Sequence, residues 1–148
     1  MSASIDLTSI PHRPPFLFVD EIVEVTSDRI VTKKLADPEA DFFRGHYPGH
    51  PVMPGVLLCE CCFQAGALLL AHRLGDTAGC KGIPVVTRIE DARFKRMVKP
   101  GEMLYVEAAV DDVLDTAYFL SGRITVEGTI ALRVKFACMQ VPPKDGVV

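Results

Sequence analysis

The chain has no large excess of charge of either sign: 16 lysines and arginines stand against 19 acidic residues, a formal net charge of −3. That removes the electrostatic case for a nucleic-acid binder. It also lacks an even cysteine framework. The five cysteines are Cys59, Cys61, Cys62, Cys80 and Cys138, and three of them crowd into one apolar run. An odd, clustered set argues for reduced thiols in a cytosolic protein. No second C-x-x-C follows Cys59 and Cys62, and that pair falls in a continuous helical pattern rather than a turn that wraps an ion. With His46 and His50 nearby a zinc site has to be weighed, but the cysteines read better as small core residues, and no metal is expected. The N-terminus, MSASIDLTSIPHRPPF, has no basic region followed by an apolar stretch, so no secretory signal is expected. There is no internal repeat and no low-complexity segment. A membrane-spanning helix needs roughly 20 mainly apolar residues. The run from Val56 to Leu74 is shorter and contains Glu60, Gln64, His72 and Arg73, so it reads as a helix buried inside a soluble domain.

What is present suits one domain. A 148-residue chain with 49% hydrophobic and 24% charged residues can bury a real core but not two. The expectation is a single domain over 1–148, with 142–148 a loose tail. Residues 1–15 are punctuated by Pro11, Pro14 and Pro15 and predict a short helical turn, then an extended lead-in. Phe16 to Val25 and Arg29 to Leu35 predict a hairpin turning at Thr26-Ser27-Asp28. Asp37-Pro38-Glu39-Ala40 can cap a helical turn. A loop with Gly45, Pro48, Gly49 and Pro51 leads to Pro54-Gly55, which suits a helix start, and Gly75 suits its stop. Asp76 to Gly82 predicts a loop. Four strands follow, over Pro84–Phe94, Glu102–Val110, Asp115–Val126 and Thr129–Val141. In the last, Leu132, Val134, Phe136 and Cys138 alternate with Arg133, Lys135 and Ala137, a pattern buried on one face. Short connections favour antiparallel pairing. A helix apolar almost all round needs a sheet that curves about it, so the fold class is α+β, with about six strands around one long helix.

Two ionisable groups stand out in the stretch from Phe42 to Gln64: His46 in the loop and Glu60 in the apolar run. A carboxylate there must be paired, protonated or functional, because burying an isolated charge is costly. Imidazole is the side chain whose proton moves most easily near neutral pH. Taken singly, His46 reads as a solvated loop histidine, and Glu60 with Gln64 at i+4 as a satisfied polar spot. Between them lies Pro54-Gly55, where free N–H groups at a helix N-terminus can bind an oxygen that gains negative charge. A base, an acid and an oxyanion site in one stretch suit proton abstraction next to a carbonyl.

The stretch GHYPGHPVMPGVLLCECCFQ resembles the signature of the (3R)-hydroxyacyl-acyl-carrier-protein dehydratases of bacterial type II fatty-acid synthesis. PHRPPFLFVDEIVEV and ARFKRMVKPGEML resemble the family's opening segment and its later strand–turn–strand, so the likeness covers most of the chain. The resemblance implies a hot-dog fold, a curved antiparallel sheet wrapped around one long helix. It implies conversion of a (3R)-hydroxyacyl thioester on acyl carrier protein to the trans-2-enoyl thioester. No metal or redox cofactor is needed, since the step moves protons and expels water. By resemblance, His46 removes the α-proton and Glu60 helps the β-hydroxyl leave. The Gly55 N–H polarises the thioester carbonyl, and Gln64 orients the acid. Glutamate at 60, where the sister dehydratase–isomerase branch has aspartate, favours dehydration without isomerisation. The family usually has small residues where Cys61 and Phe63 stand, and other side chains are common in place of His50. Bulk at 61 and 63 bears on the acyl channel and on a specialised pathway.

Arg93, Lys95, Arg96 and Lys99 form a basic cluster in an acidic chain. It reads as a solvated strand end, or, as the resemblance implies, as the dock for the carrier and its phosphopantetheine arm. The resemblance also implies a cytoplasmic two-fold homodimer, with a trimer of dimers as a larger form. Each site then lies at the interface, with His46 from one chain and Glu60 from the other. Two other readings stay open: a hot-dog thioesterase, which would release free thiol, and a non-catalytic acyl-binding subunit.

Overall fold

The computed structural model describes residues 5–75 and 83–141. Cys80, the loop expected at 76–82 and the tail at 142–148 lie outside the described residues. The strands are β1 (Glu21–Val25), β2 (Arg29–Leu35), β3 (Ile83–Phe94), β4 (Met103–Leu114), β5 (Ala117–Val126) and β6 (Thr129–Val141). A 3-10 turn spans Leu7–Ser9, a short helix α1 spans Phe42–Gly45, and the long helix α2 spans Gly55–Leu74. The six strands make one sheet in the order β1-β2-β4-β5-β6-β3, and every neighbouring pair is antiparallel.

Helix α2 begins where the sequence places it. Pro54 is its N-cap, and Gly75 ends it at φ 61°, a left-handed conformation that costs glycine little. Leu58, Leu68, Leu69 and Leu70 are each at most 2% exposed, and each such burial stabilises by about 1.5–3 kcal/mol. The helix packs most heavily on β4 and then on β2 and β5, so the sheet curves around it. By length and composition α2 would pass for a membrane span, but most of it is inside this fold. Gly122 on β5 permits the closest approach: a Cβ there would lie 2.8 Å from Cys62 Cβ and Sγ. Cys59, Cys61, Cys62 and Cys138 are free and buried. Burial pushes the Cys61 and Cys138 thiols up to about 12, which keeps them protonated and inert.

Three boundaries differ from the sequence reading by more than two residues. The first strand starts at Glu21, not Phe16, because residues 16–18 bond to a helix side chain instead of a ladder. The helical turn expected at Asp37–Ala40 lies further on, at Phe42–Gly45; Asp37 Oδ1 accepts the Glu39 N–H and closes a non-helical turn first. Strand β4 runs on to Leu114, through a register shift between Val110 and Asp112. The alternation in β6 holds, except that Ala137 is also buried. The two sheet edges are unlike. Strand β1 is short and irregular at Ile22/Glu24, whereas β3 is 12 residues long, and Thr87 to Phe94 are all exposed.

Candidate active site

His46 follows α1 in a loop that bonds to itself and to the body of the protein. Val52 N–H donates to His46 O at 2.8 Å, Tyr47 and His50 exchange backbone bonds, and Met53 N–H donates to Val98 O at 2.8 Å. His50 is exposed at the tip of this turn. The His46 ring is fixed by Nδ1, 2.8 Å from Val52 O. A carbonyl only accepts, so Nδ1 carries the proton, and in the neutral ring Nε2 holds the lone pair. His46 opens onto a cavity of about 440 Å³ whose walls include Gly55, Phe94, Lys95, Arg96 and Met97. The Gly55 N–H opens α2 and has no intrahelical acceptor. A Cβ at Gly55 would come within 2.8 Å of the Phe94 ring, so only glycine leaves this approach clear. A histidine and the first residue of a helix thus line one cavity.

Glu60 sits further along α2, and its carboxyl has two polar side chains beside it. Gln64 Nε2 donates to Glu60 Oε2 at 2.9 Å and to Phe16 O at 3.0 Å, while Gln64 Oε1 accepts the Phe18 N–H at 2.7 Å. Gln64 itself is 0% exposed, so the lead-in strand is tied to the helix through one amide. The second neighbour is His12, whose Nε2 lies 3.7 Å from Glu60 Oε2. The sequence reading missed His12; its proline-rich surroundings gave no periodic signal that would place it against the helix.

Within one chain the expected acid and base do not meet. Among the described residues no hydrogen bond or ion pair joins His46 to Glu60. Glu60 instead shares the i, i+4 stripe of α2 with Val56, which is 75% exposed. Phe94, Met97, Tyr47 and Ile89 are also more than half exposed, and Phe94, Met97 and Tyr47 line the His46 cavity. Phe63 packs its ring on Phe136, centroids 4.8 Å apart, so its bulk is absorbed against the sheet. Cys61 is fully buried.

The basic cluster is partly neutralised by its own acids. Arg93 pairs with Asp91 at 2.8 Å and Arg96 with Glu102 at 2.7 Å. The Arg96 hydrogen bond holds the Glu102 carboxyl below its usual range. Lys95 has no acidic partner among the described residues and borders two cavities: the one at His46 and one of about 510 Å³ on the outer sheet face. In the second, Arg133 on β6 stands in register between Arg93 on β3 and Arg123 on β5, with Lys135 beside it. Arg93 pairs with Asp91 and Arg123 with Glu107, and both carboxylates line the same cavity, so Arg133 and Lys135 are the cations of this row with no acidic partner among the described residues. The outward positions of β6 were legible in its alternation, but the register that aligns three arginines was not.

Comparison with known proteins agrees with this architecture. A FabA-like domain model matches residues 10–135. The chain is 40% identical over 141 residues to a 3-hydroxyacyl-[acyl-carrier-protein] dehydratase FabZ of Rickettsia africae, covering 91% of this chain and 95% of that protein. The same enzyme of Rickettsia felis is 38% identical over the same shares. Among solved structures, the dehydratase heterocomplex ApeI:P of Xenorhabdus doucetiae superposes with a TM-score of 0.75 at 17% identity, over 93% of this chain and 90% of that one. A hypothetical thioesterase with coenzyme A from Streptococcus pneumoniae superposes at 0.65 with 15% identity, over 84% and 88%. At those identities the two structures speak for the hot-dog fold alone. The long match to the FabZ dehydratases goes further: this chain belongs to the FabA-like family, as a hot-dog-fold dehydratase of the FabZ type.

Proposed function

We propose that the chain, acting as a single cytoplasmic domain, dehydrates (3R)-hydroxyacyl chains carried on acyl carrier protein to the trans-2-enoyl thioester, as a step of fatty-acid biosynthesis. The observation that carries this is the His46 cavity, where the His46 ring and Gly55, the first residue of α2, line the same space. The thioester oxygen accepts from the Gly55 N–H, which steadies charge as the α-carbon loses its proton to His46 Nε2. Glu60 gives a proton to the β-hydroxyl, the C–O bond breaks, and water leaves. Gln64 sets the carboxyl. The reaction moves protons and expels water, so it calls for no cofactor.

The two halves of this chemistry come together in a two-fold homodimer. Strand β3 leaves an open edge with exposed Ile89 and Phe94, and open edges are protected by pairing with a second copy. A partner that covered Val56 would stand next to Glu60, and it would bring its own His46 loop. The larger assembly in this proposal is a trimer of such dimers.

An assay that follows products separates this reading from a thioesterase. With a hydroxyacyl thioester the expected product is the conjugated enoyl thioester, with no free thiol. Thiol release without enoyl product would replace the proposal by thioester hydrolysis. Binding without turnover would leave an acyl-binding subunit.

The carrier docks on Arg93 and Lys95, supported by Arg133 and Lys135 on the outer face, because Lys95, Arg133 and Lys135 have no acidic partner among the described residues and complement an acidic carrier. Arg96 borders the same entrance and is already bridged to Glu102. Reversing Arg93 and Lys95 to glutamate should lower turnover of carrier-bound substrate severalfold, mostly through KM, and leave a short thioester mimic unaffected. The difference should shrink as salt rises, because exposed charges are screened over a Debye length of about 8 Å at physiological ionic strength. Equal loss on both substrates would show damage to the site instead.

A further inference from the structure

His12 enters no step of the chemistry above, yet its ring lies against the proposed acid. Its backbone is pinned in place: Ile10 is buried, and Arg13 Nη1 donates to Ile10 O at 2.6 Å and to His12 O at 2.7 Å. Its Nε2 is aimed at Glu60 Oε2 at 3.7 Å, and its Nδ1 is buried with no hydrogen-bond partner among the described residues. An imidazolium would carry a proton on both nitrogens and leave a buried Nδ1–H unpaired, which native proteins avoid. The neutral form with its proton on Nε2 fits both facts: it turns a donor to the carboxyl and leaves only a lone pair unmet.

We infer that His12 is a positioning residue for Glu60, a neutral donor that works with Gln64 to engage Oε2 and so confine the transferable proton to Oε1. The inference rests on Glu60 being the acid. Two donors then converge on one oxygen, Gln64 at 2.9 Å and His12 at 3.7 Å. An oxygen that accepts from both has no room for its own proton. The acidic proton sits on Oε1, from which it passes to the leaving hydroxyl as the C–O bond breaks. The present separation is longer than a hydrogen bond. Such contacts commonly tighten when substrate closes the site. A neutral donor also orients the carboxyl in both of its protonation states, which a lysine or arginine would not do, since either would demand the anion.

The test compares His12→Phe, which keeps the ring and loses the donor, with His12→Gln, which restores an N–H donor. Each is measured alone and in a Glu60→Gln background. His12→Phe should fold and lose on the order of 10- to 100-fold in kcat with KM within about twofold. His12→Gln should recover most of that loss. In the Glu60→Gln background neither change should matter, because a residue that acts only through Glu60 has nothing left to act on. Wild-type kcat in His12→Phe, equal losses in both variants, or an undiminished loss in the Glu60→Gln background would each overturn the inference. If His12→Phe fails to fold, His12→Gln and its double variant still decide: full loss in the single, or added loss in the double, overturns it. Should Glu60→Gln itself retain activity, the reading of Glu60 as the acid fails, an outcome separable from all of these.

Discussion

Changing His46 to alanine, or Glu60 to glutamine, is expected to leave the fold intact and remove nearly all turnover, on the order of 10²–10⁴-fold for each acid or base group. The structure says why both variants should fold. Among the described residues the His46 ring makes one hydrogen bond, to Val52 O, and it lies on a loop whose backbone bonds do not involve the side chain. Without the ring, water can reach that carbonyl. Glu60→Gln keeps side-chain shape and a carbonyl oxygen that can still accept from Gln64. Neither change opens a cavity in the core. The loss should therefore appear in kcat, with thermal midpoints close to the parent. Near-wild-type turnover in either folded variant would remove that residue from the mechanism.

Much of the fold was legible because its elements announce themselves in local pattern. The run from Gly55 to Leu74 is apolar almost all round, which a wrapped helix explains, and the alternation through Leu132, Val134 and Phe136 marks a strand with one buried face. Polar residues break the chain where the hairpins turn. What stayed hidden depends on contacts distant in sequence. Residues 16–18 look like strand, but Gln64, 46 positions from Phe18, takes their backbone groups. Ile89 and Phe94 look like core residues, yet register shifts at Val86/Arg88 and Glu90/Arg93 and an edge position leave them exposed. The candidate site divides in the same way. His46, Gly55, Glu60 and Gln64 lie in one stretch and were found together. His12 and the row Arg93–Arg133–Arg123 are assembled by packing and strand register, and neither leaves a mark in composition or spacing.

The second large effect follows from the distribution of the site over one chain. His46 and Gly55 share a cavity, while Glu60 is held by Gln64, with His12 nearby, on a stripe of α2 that ends at exposed Val56. If an active site takes His46 from one chain and Glu60 from its partner, a dimer of His46→Ala with Glu60→Gln has one site with both defects and one with neither. A two-fold interface makes the two sites equivalent, so random pairing gives mixed dimers in about half the population and intact sites at roughly a quarter of the total. The most direct measurement is therefore to unfold the two inactive variants, refold them together, confirm mixed dimers by mass spectrometry and assay enoyl thioester formation. Recovery of about a quarter of parental activity is the result the shared site predicts. If mixed dimers are present and activity stays at the level of the separate variants, each site draws both residues from one chain and the account is contradicted.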